Sequence, residues 1–180
     1  MSEELNELQE HAEHAKHDPT LIPVTVTMAI LAVLVAIVTL LGHRAHTEEV
    51  VLQAKSSDQW AYYQAKNIRR HQDELFLDMT AVQPASDAAA LAKQRDKYSA
   101  EVARYKDEQK GIEDTAHEME AEVAHERNRA DRFDLAEVFL EVGLVITSIT
   151  LLSGRRLFWY LGMFLGVVGM VTASTAFLVH

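Results

Sequence analysis

The chain has 180 residues, which is the length of one domain, and a formal net charge of −10 at pH 7. This acidic balance argues against nucleic acid as a partner, because phosphate binding requires a concentrated basic face. The absence of cysteine excludes disulfide bonds and thiolate metal sites. Apolar residues nevertheless make up 48% of the chain and are gathered in three stretches. The sequence therefore predicts a membrane protein.

Residues 1–20 form an acidic tail that contains histidines and lacks the basic start of a secretory signal. His11, His14 and His17 recur at intervals of three, so two neighbouring imidazoles could share a Zn²⁺, Ni²⁺ or Cu²⁺ ion. The alternative is a solvated tail without metal, because histidine-rich tracts are only compositional signals. We expect no cofactor and keep the three histidines as candidate ligands.

Residues 21–42 form the first predicted transmembrane helix, and Asp18-Pro19-Thr20 is a typical helix start. Gly42 is a possible end, but a single glycine costs only about 1 kcal/mol inside a helix. We expect the helix to continue, because the positions beyond Gly42 alternate by four and three residues, the period of a coiled-coil seam. These positions are Thr47, Val51, Ala54, Asp58, Ala61, Ala65, Ile68, Gln72, Leu75 and Met79.

Residues 43–134 are predicted to be an extramembrane helical hairpin with its turn near residues 82–87, where Pro84 breaks the first arm. Ser86 or Asp87 would cap the second arm, and so short a turn makes the arms antiparallel. The second arm has its own seam: Leu91, Arg95, Tyr98, Val102, Tyr105, Gln109, Ile112, Ala116, Met119, Val123, Glu126, Ala130 and Phe133. The arms differ in length, with 39 residues in 43–81 and 49 in 86–134. A break near Gly111 or a separate segment after Ser86 would absorb the difference, and both alternatives stay open.

Two further transmembrane helices are predicted at residues 135–153 and 157–179, joined by a tight loop that contains Arg155 and Arg156. Phe158, Trp159 and Tyr160 begin the third helix, where an interfacial aromatic belt belongs. Small residues then follow one face of this helix and allow close approach of a neighbour. The predicted packing face consists of Gly162, Gly166, Gly169, Ala173 and Ala176. Its partner is either the chain's own helices or another subunit.

Charged residues meet the predicted membrane boundary on both the first and the second helix. They are His43, Arg44, His46, Asp134, Glu137 and Glu141. Ionisable groups at such a depth are expensive and usually pair with one another, so a structural charge cluster is one interpretation. A cation or proton site at a pore mouth is the other.

The orientation in the membrane follows from the basic loop at Arg155 and Arg156. Short loops rich in arginine favour the cytoplasmic side. The sequence thus predicts a cytoplasmic N-terminus, with the hairpin and the C-terminus on the opposite side.

Three segments resemble a bacterial membrane family catalogued as domain of unknown function 4337. They are Glu10–Ala15 (EHAEHA), Leu41–Thr47 (LGHRAHT) and Ser57–Lys66 (SDQWAYYQAK), of which the last is the most specific. The resemblance covers nearly the whole chain. It implies a bacterial envelope protein and assigns no activity and no catalytic residue.

The predicted fold is an all-α membrane protein with three transmembrane helices and a long antiparallel coiled-coil hairpin between the first and the second. No nucleophile–base set, phosphate loop or HExxH spacing is present, so we expect no enzyme. The favoured function is a homo-oligomeric scaffold in the bacterial inner membrane, in contact with lipid and open to a protein partner at the hairpin. The alternative is an oligomeric cation or proton channel lined by the second helix.

Overall fold

The computed structural model of the protein describes residues 21–82 and 87–178. Within these ranges the chain is all-helical and has no strand: helix α1 spans Ile22–Val82, α2 spans Ala88–Ser153 and α3 spans Arg156–Thr175. Each of the three helices is long and apolar enough to cross a membrane. This fits a multi-pass membrane protein.

The chain divides into two compact units. The described part of the first, here called the three-helix unit, consists of residues 21–48 and 125–178. The second, the two-helix unit, consists of Glu49–Ala124.

Helix α1 continues through Gly42, as predicted. A methyl group at this position would lie 3.4 Å from both Cβ of Phe133 and Oδ1 of Asp134 on α2. Gly42 is therefore buried against α2 inside an unbroken helix, and a methyl group there would be in ordinary van der Waals contact with α2.

The core of the three-helix unit is made of apolar side chains and small residues from all three helices. Its buried members are Leu31, Val38, Ala45, Ala130, Phe133, Ala136, Leu140, Ala173 and Ala176. Large apolar side chains also cover the outside of the unit, among them Val33, Leu40 and Val145, which are about 60% exposed. An outer surface of this composition is unusual for a soluble protein and typical of one that faces lipid.

The two-helix unit is an antiparallel helical hairpin. Contacts pair residues progressively earlier in α1 with residues progressively later in α2. Thr80 accepts a hydrogen bond from the side chain of Arg95, and Lys66 Nζ lies 2.6 Å from Oε2 of Glu108. Every described position of the seam predicted for α2 is buried or half-buried.

The seam predicted for α1 is wrong. In the two-helix unit its positions are all exposed: Val51, Ala54, Asp58, Ala61, Ala65, Ile68, Gln72, Leu75 and Met79, here called the outer stripe. The positions that pack against α2 lie two residues earlier or later and are largely polar: Glu49, Leu52, Ser56, Gln59, Tyr63, Lys66, Arg70, Asp73, Leu77 and Thr80. The reason is the helix period. The α2-facing positions are spaced alternately by four and three residues. This spacing begins in the apolar part of α1 at Val24, Met28 and Leu31 and continues without interruption to Thr80.

The unequal arms do not require a broken helix, because α2 passes through Gly111 unbroken. Thr80, two residues before the end of α1, bonds to Arg95, seven residues after α2 begins. The first turns of α2 thus extend beyond the last paired turn of α1. The predicted turn itself, at residues 83–86, lies outside the described residues.

Both helix junctions have a specific local chemistry. Asp87 caps α2, since its Oδ1 accepts hydrogen bonds from the backbone N–H groups of Ala89 and Ala90, each at 3.0 Å. Between α2 and α3, Gly154 adopts φ +65°, a left-handed conformation that glycine tolerates best. This lets α2 end at Ser153 and α3 begin at Arg156 after only two residues.

Candidate functional site

The predicted boundary cluster is brought together only in part. Nε2 of His46 lies 3.0 Å from Oδ2 of Asp134. Glu137 accepts a hydrogen bond from the hydroxyl of Thr39, with 2.6 Å between Oγ1 and Oε1. The cluster thus supplies two polar side-chain contacts between α1 and α2. The role of Thr39 was missed, because a single threonine in an apolar run gives no signal in the sequence.

Three members of the predicted cluster point outward. His43, Arg44 and Glu141 are exposed. Among the described residues, no hydrogen bond or ion pair reaches the carboxylate of Glu141. Glu141 lies between Leu140, which is fully buried, and Val142, which is 44% exposed. A carboxylate on such an apolar outer face is energetically costly, which makes Glu141 a candidate functional group of the three-helix unit.

The C-terminal end of α3 is tied to α2 by contacts that the sequence did not reveal. The guanidinium of Arg132 donates to Oγ1 of Thr175 at 2.9 Å. The rings of Phe133 and Phe177 meet edge to face at 5.6 Å, and the guanidinium of Arg129 lies 5.9 Å from the Phe177 ring. These contacts hold a polar and aromatic layer at this end of the unit.

The small face of α3 packs against helices of the same chain. A methyl group at Gly162 would lie 2.7 Å from the carbonyl oxygen of Gly143 and would clash with the hydroxyl of Thr147. At Gly166 it would meet Leu31 of α1 at 2.7 Å, and at Gly169 it would meet Leu140 at 2.8 Å. Ala173 and Ala176 are buried as well. Every position of the face therefore lies inside the three-helix unit.

One residue of the predicted aromatic belt also forms a specific polar contact. The indole N–H of Trp159, near the start of α3, donates to Oγ1 of Thr27 on α1 at 3.1 Å. This hydrogen bond satisfies the polar group of the indole and links the start of α3 to α1.

The two-helix unit contains an aromatic and carboxylate cluster that joins Trp60, in the segment Ser57–Lys66, to His117 and Glu120 on α2. The indole N–H of Trp60 donates to Oε1 of Glu120 at 2.8 Å, and Nδ1 of His117 lies 3.0 Å from Oε2 of the same carboxylate. The rings of Trp60 and His117 meet edge to face at 5.2 Å. These hydrogen bonds, first that of Trp60 and then that of His117, hold the pKa of Glu120 below its ordinary value.

A second tie of this unit centres on Lys66. Its ammonium bonds to Glu108 and lies 5.2 Å from the ring of Tyr105 and 5.4 Å from that of Tyr62. The hydrogen bond raises the pKa of Lys66 and lowers that of Glu108. Cation and carboxylate stabilise each other's charged form here, which makes the contact a structural one.

None of these groups forms a metal site: residues 21–82 and 87–178 hold no set of three or more histidine, aspartate or glutamate side chains arranged for a metal ion. The candidate ligands His11, His14 and His17 lie outside the described residues. Chemically, the polar contacts described above cross-link helices, whereas no such contact involves Glu141 among the described residues.

Comparison with curated proteins and with solved structures finds no match to this chain. The family predicted from the sequence motifs is confirmed. The family model described as Domain of unknown function (DUF4337) matches residues 20–179, and the chain therefore belongs to this family.

Proposed function

We propose that this chain is a multi-pass protein of the bacterial inner membrane that acts as a homo-oligomeric scaffold. Residues 21–42, 135–153 and 157–179 anchor it, and the coiled-coil hairpin between the first two helices is the platform that meets other proteins. The loop at Arg155 and Arg156 lies in the cytoplasm with the N-terminus, since short basic loops favour that side.

The observation that carries the scaffold proposal is the close helix packing at the glycines of the three-helix unit. Gly162 and Gly143 bring α3 and α2 into backbone contact, and the side chain of Leu31 on α1 packs against Gly166. Such contacts pack the helices of one chain tightly against each other at these positions. They suit a rigid anchor.

The hairpin supports the same reading, because its polar groups are used in holding its arms together. Lys66 pairs with Glu108, Trp60 with Glu120 and Arg95 with Thr80. None of these groups is combined with a nucleophile or a second catalytic partner. A stiffened hairpin of this type suits assembly.

An oligomeric channel is the second candidate, and Glu141 is the observation that favours it. Its carboxylate faces outward from an apolar stretch of α2, and the half-buried Ser148 follows seven residues later. In a ring of subunits these groups would line a shared path for cations or protons. The scaffold reading instead assigns Glu141 to a contact between subunits.

Two differently tagged copies, co-expressed and extracted from the same membrane, test the scaffold. One tag should recover the other from co-expressed membranes, and much less from membranes that were mixed after separate expression. Recovery of a single tag alone would contradict the proposal.

Flux of cations and protons into liposomes that contain the full chain separates the two candidates. The scaffold predicts no flux above that of empty liposomes at any pH. Flux that disappears in Glu141→Gln, while oligomer size is kept, would establish the channel instead.

A further inference from the structure

A second, largely apolar stripe of residues lies on α1, facing away from α2. The outer stripe repeats with steps of four and three residues, the same period as the seam that α1 presents to α2. Ile68, Leu75 and Met79 are 57%, 59% and 53% exposed, so the hairpin leaves their apolar surface unused. A stripe of this period suits packing against another helix, because knobs-into-holes packing needs apolar residues that repeat every 3.5 residues.

We propose that the outer stripe binds the outer stripe of a second copy of this chain, so that two α1 helices pair in parallel about a two-fold axis. The inference rests on the proposed homo-oligomer and specifies its contact surface. Copies anchored in one membrane with the same orientation present α1 in the same direction and at the same height. Shared anchoring also raises the effective concentration of the two stripes.

The outside of α2 offers no alternative apolar partner. In the two-helix unit its exposed residues include many charges, such as Lys93, Lys97, Lys106, Asp114, Glu118 and Glu122. The outer stripe has one charged member, Asp58. If the outer stripe packed against this charged surface, charges would lose their water without gaining a partner. If two outer stripes pack together, apolar side chains are buried against apolar side chains.

The polar members of the outer stripe fit a parallel pair in one register. Gln72 would meet the same residue of the second copy, where one amide donates and the other accepts. Asp58 would meet Asp58, and the exposed Lys55 of each chain, three residues earlier, offers an opposite charge beside them. A few polar residues within an apolar seam fix register at some cost in stability. Ala54, Ala61 and Ala65 leave the helices free to approach closely.

Single cysteines test this pairing cleanly, because the natural chain has no cysteine. In a parallel pair each stripe residue faces its own counterpart, within the Cα separation of about 4.4–6.8 Å that a disulfide needs. Ala54→Cys, Ala61→Cys and Ala65→Cys in the full chain should each give a disulfide-linked dimer as the main product after mild oxidation in membranes. The matched controls Ala100→Cys and Ala121→Cys, at exposed positions of α2, should give several-fold less.

The outcomes separate this inference from the proposed function. Equal cross-linking at stripe and control positions, or a linked dimer at only one of the three stripe positions, would overturn the parallel pairing. So would a mixed disulfide between co-expressed Ala61→Cys and Ala121→Cys chains as the main product. If the two-tag recovery persists in either case, the homo-oligomer stands and uses another surface.

Introducing negative charges into the outer stripe checks the same surface without oxidation. Ile68→Glu with Leu75→Glu should lower two-tag recovery several-fold. The helical circular dichroism signal should stay unchanged, because both side chains are mostly exposed in the single chain. Unchanged recovery by this variant would overturn the inference.

Discussion

At the scale of single residues, glycines show how the same residue type has opposite consequences in the two units. Gly162 is in backbone contact with Gly143, whereas a methyl group at Gly111 would have nothing within 4 Å. The sequence reveals a small-residue stripe in α3 but not which neighbour it meets. That depends on the lengths of α1 and α2 and on the short turn at Gly154.

Alanine substitutions should therefore act in opposite directions at these two glycines. We expect Gly162→Ala to destabilise the chain by about 1–3 kcal/mol, the usual cost of overpacking. Gly111→Ala should stabilise it by about 0.5–1 kcal/mol, because alanine loses less backbone entropy in a helix. Thermal unfolding of the full chain in detergent measures both. Equal effects would contradict the close contact of α3 with α2.

The Glu120 cluster predicts a loss of stability in acid. The pKa of Glu120 is lowered in the folded chain, mainly by the indole N–H of Trp60 and next by His117, from an ordinary value of 4.5. The stabilisation is therefore fully present above pH 4.5 and is lost as the pH falls through the lower value of the folded state. Asp73 opposes this trend, because burial raises its pKa.

Glu120→Gln should thus lower the midpoint of thermal unfolding at pH 7 and should make the midpoint less sensitive to pH between 5 and 3. Trp60→Phe, which removes the donor but keeps a ring, should act in the same direction. The exposed Glu118→Gln controls for the loss of one charge on the same turn. A pH profile of Glu120→Gln identical to that of the natural chain would refute the role of this cluster.

At the scale of elements, the helices and their type could be predicted from the sequence, and the rotation of α1 could not. The apolar runs, the continuation of α1 past Gly42 and the cap at Asp87 all follow from local chemistry. The sequence pattern indicates the wrong α2-facing side for α1, because beyond Gly42 the outer stripe is the more apolar of the two stripes. An unbroken helix carries the period set by Val24, Met28 and Leu31 onward, and that period places Lys66, Arg70 and Asp73 against α2.

Substitutions at two leucines close together in the sequence test which of the two stripes faces α2. Leu77 is half-buried on the α2-facing side, whereas Leu75 is 59% exposed in the outer stripe. Leu77→Ala should destabilise the single chain by about 1–2 kcal/mol, a fraction of the cost at a fully buried site. Leu75→Ala should leave the unfolding of the monomeric chain unchanged. The reverse order in urea unfolding would favour the stripe that the sequence suggested.

At the scale of the whole molecule, the sequence could predict three membrane-length helices and the family. It could not predict which partner each charged residue at the predicted membrane boundary contacts. Glu137 is satisfied by Thr39 and Asp134 by His46, while Glu141 remains exposed. Such pairings depend on the rotation of two helices relative to each other, which residue spacing along one helix does not determine.

The proposed orientation can be tested with single cysteines and a membrane-impermeant thiol reagent on intact cells. A cysteine at Ala89, at the start of α2, should be labelled without disrupting the membrane. A cysteine at Ser153, beside the basic loop, should react only after permeabilisation. Labelling in the opposite pattern would place the hairpin in the cytoplasm.

The mass of the intact assembly tests the central claim most directly. Native mass spectrometry of the full chain, released from lipid nanodiscs, should show a defined multiple of the 20.2 kDa subunit. Ile68→Glu with Leu75→Glu should shift the population toward smaller species. A single 20.2 kDa species for the natural chain at every protein concentration would contradict the homo-oligomeric scaffold.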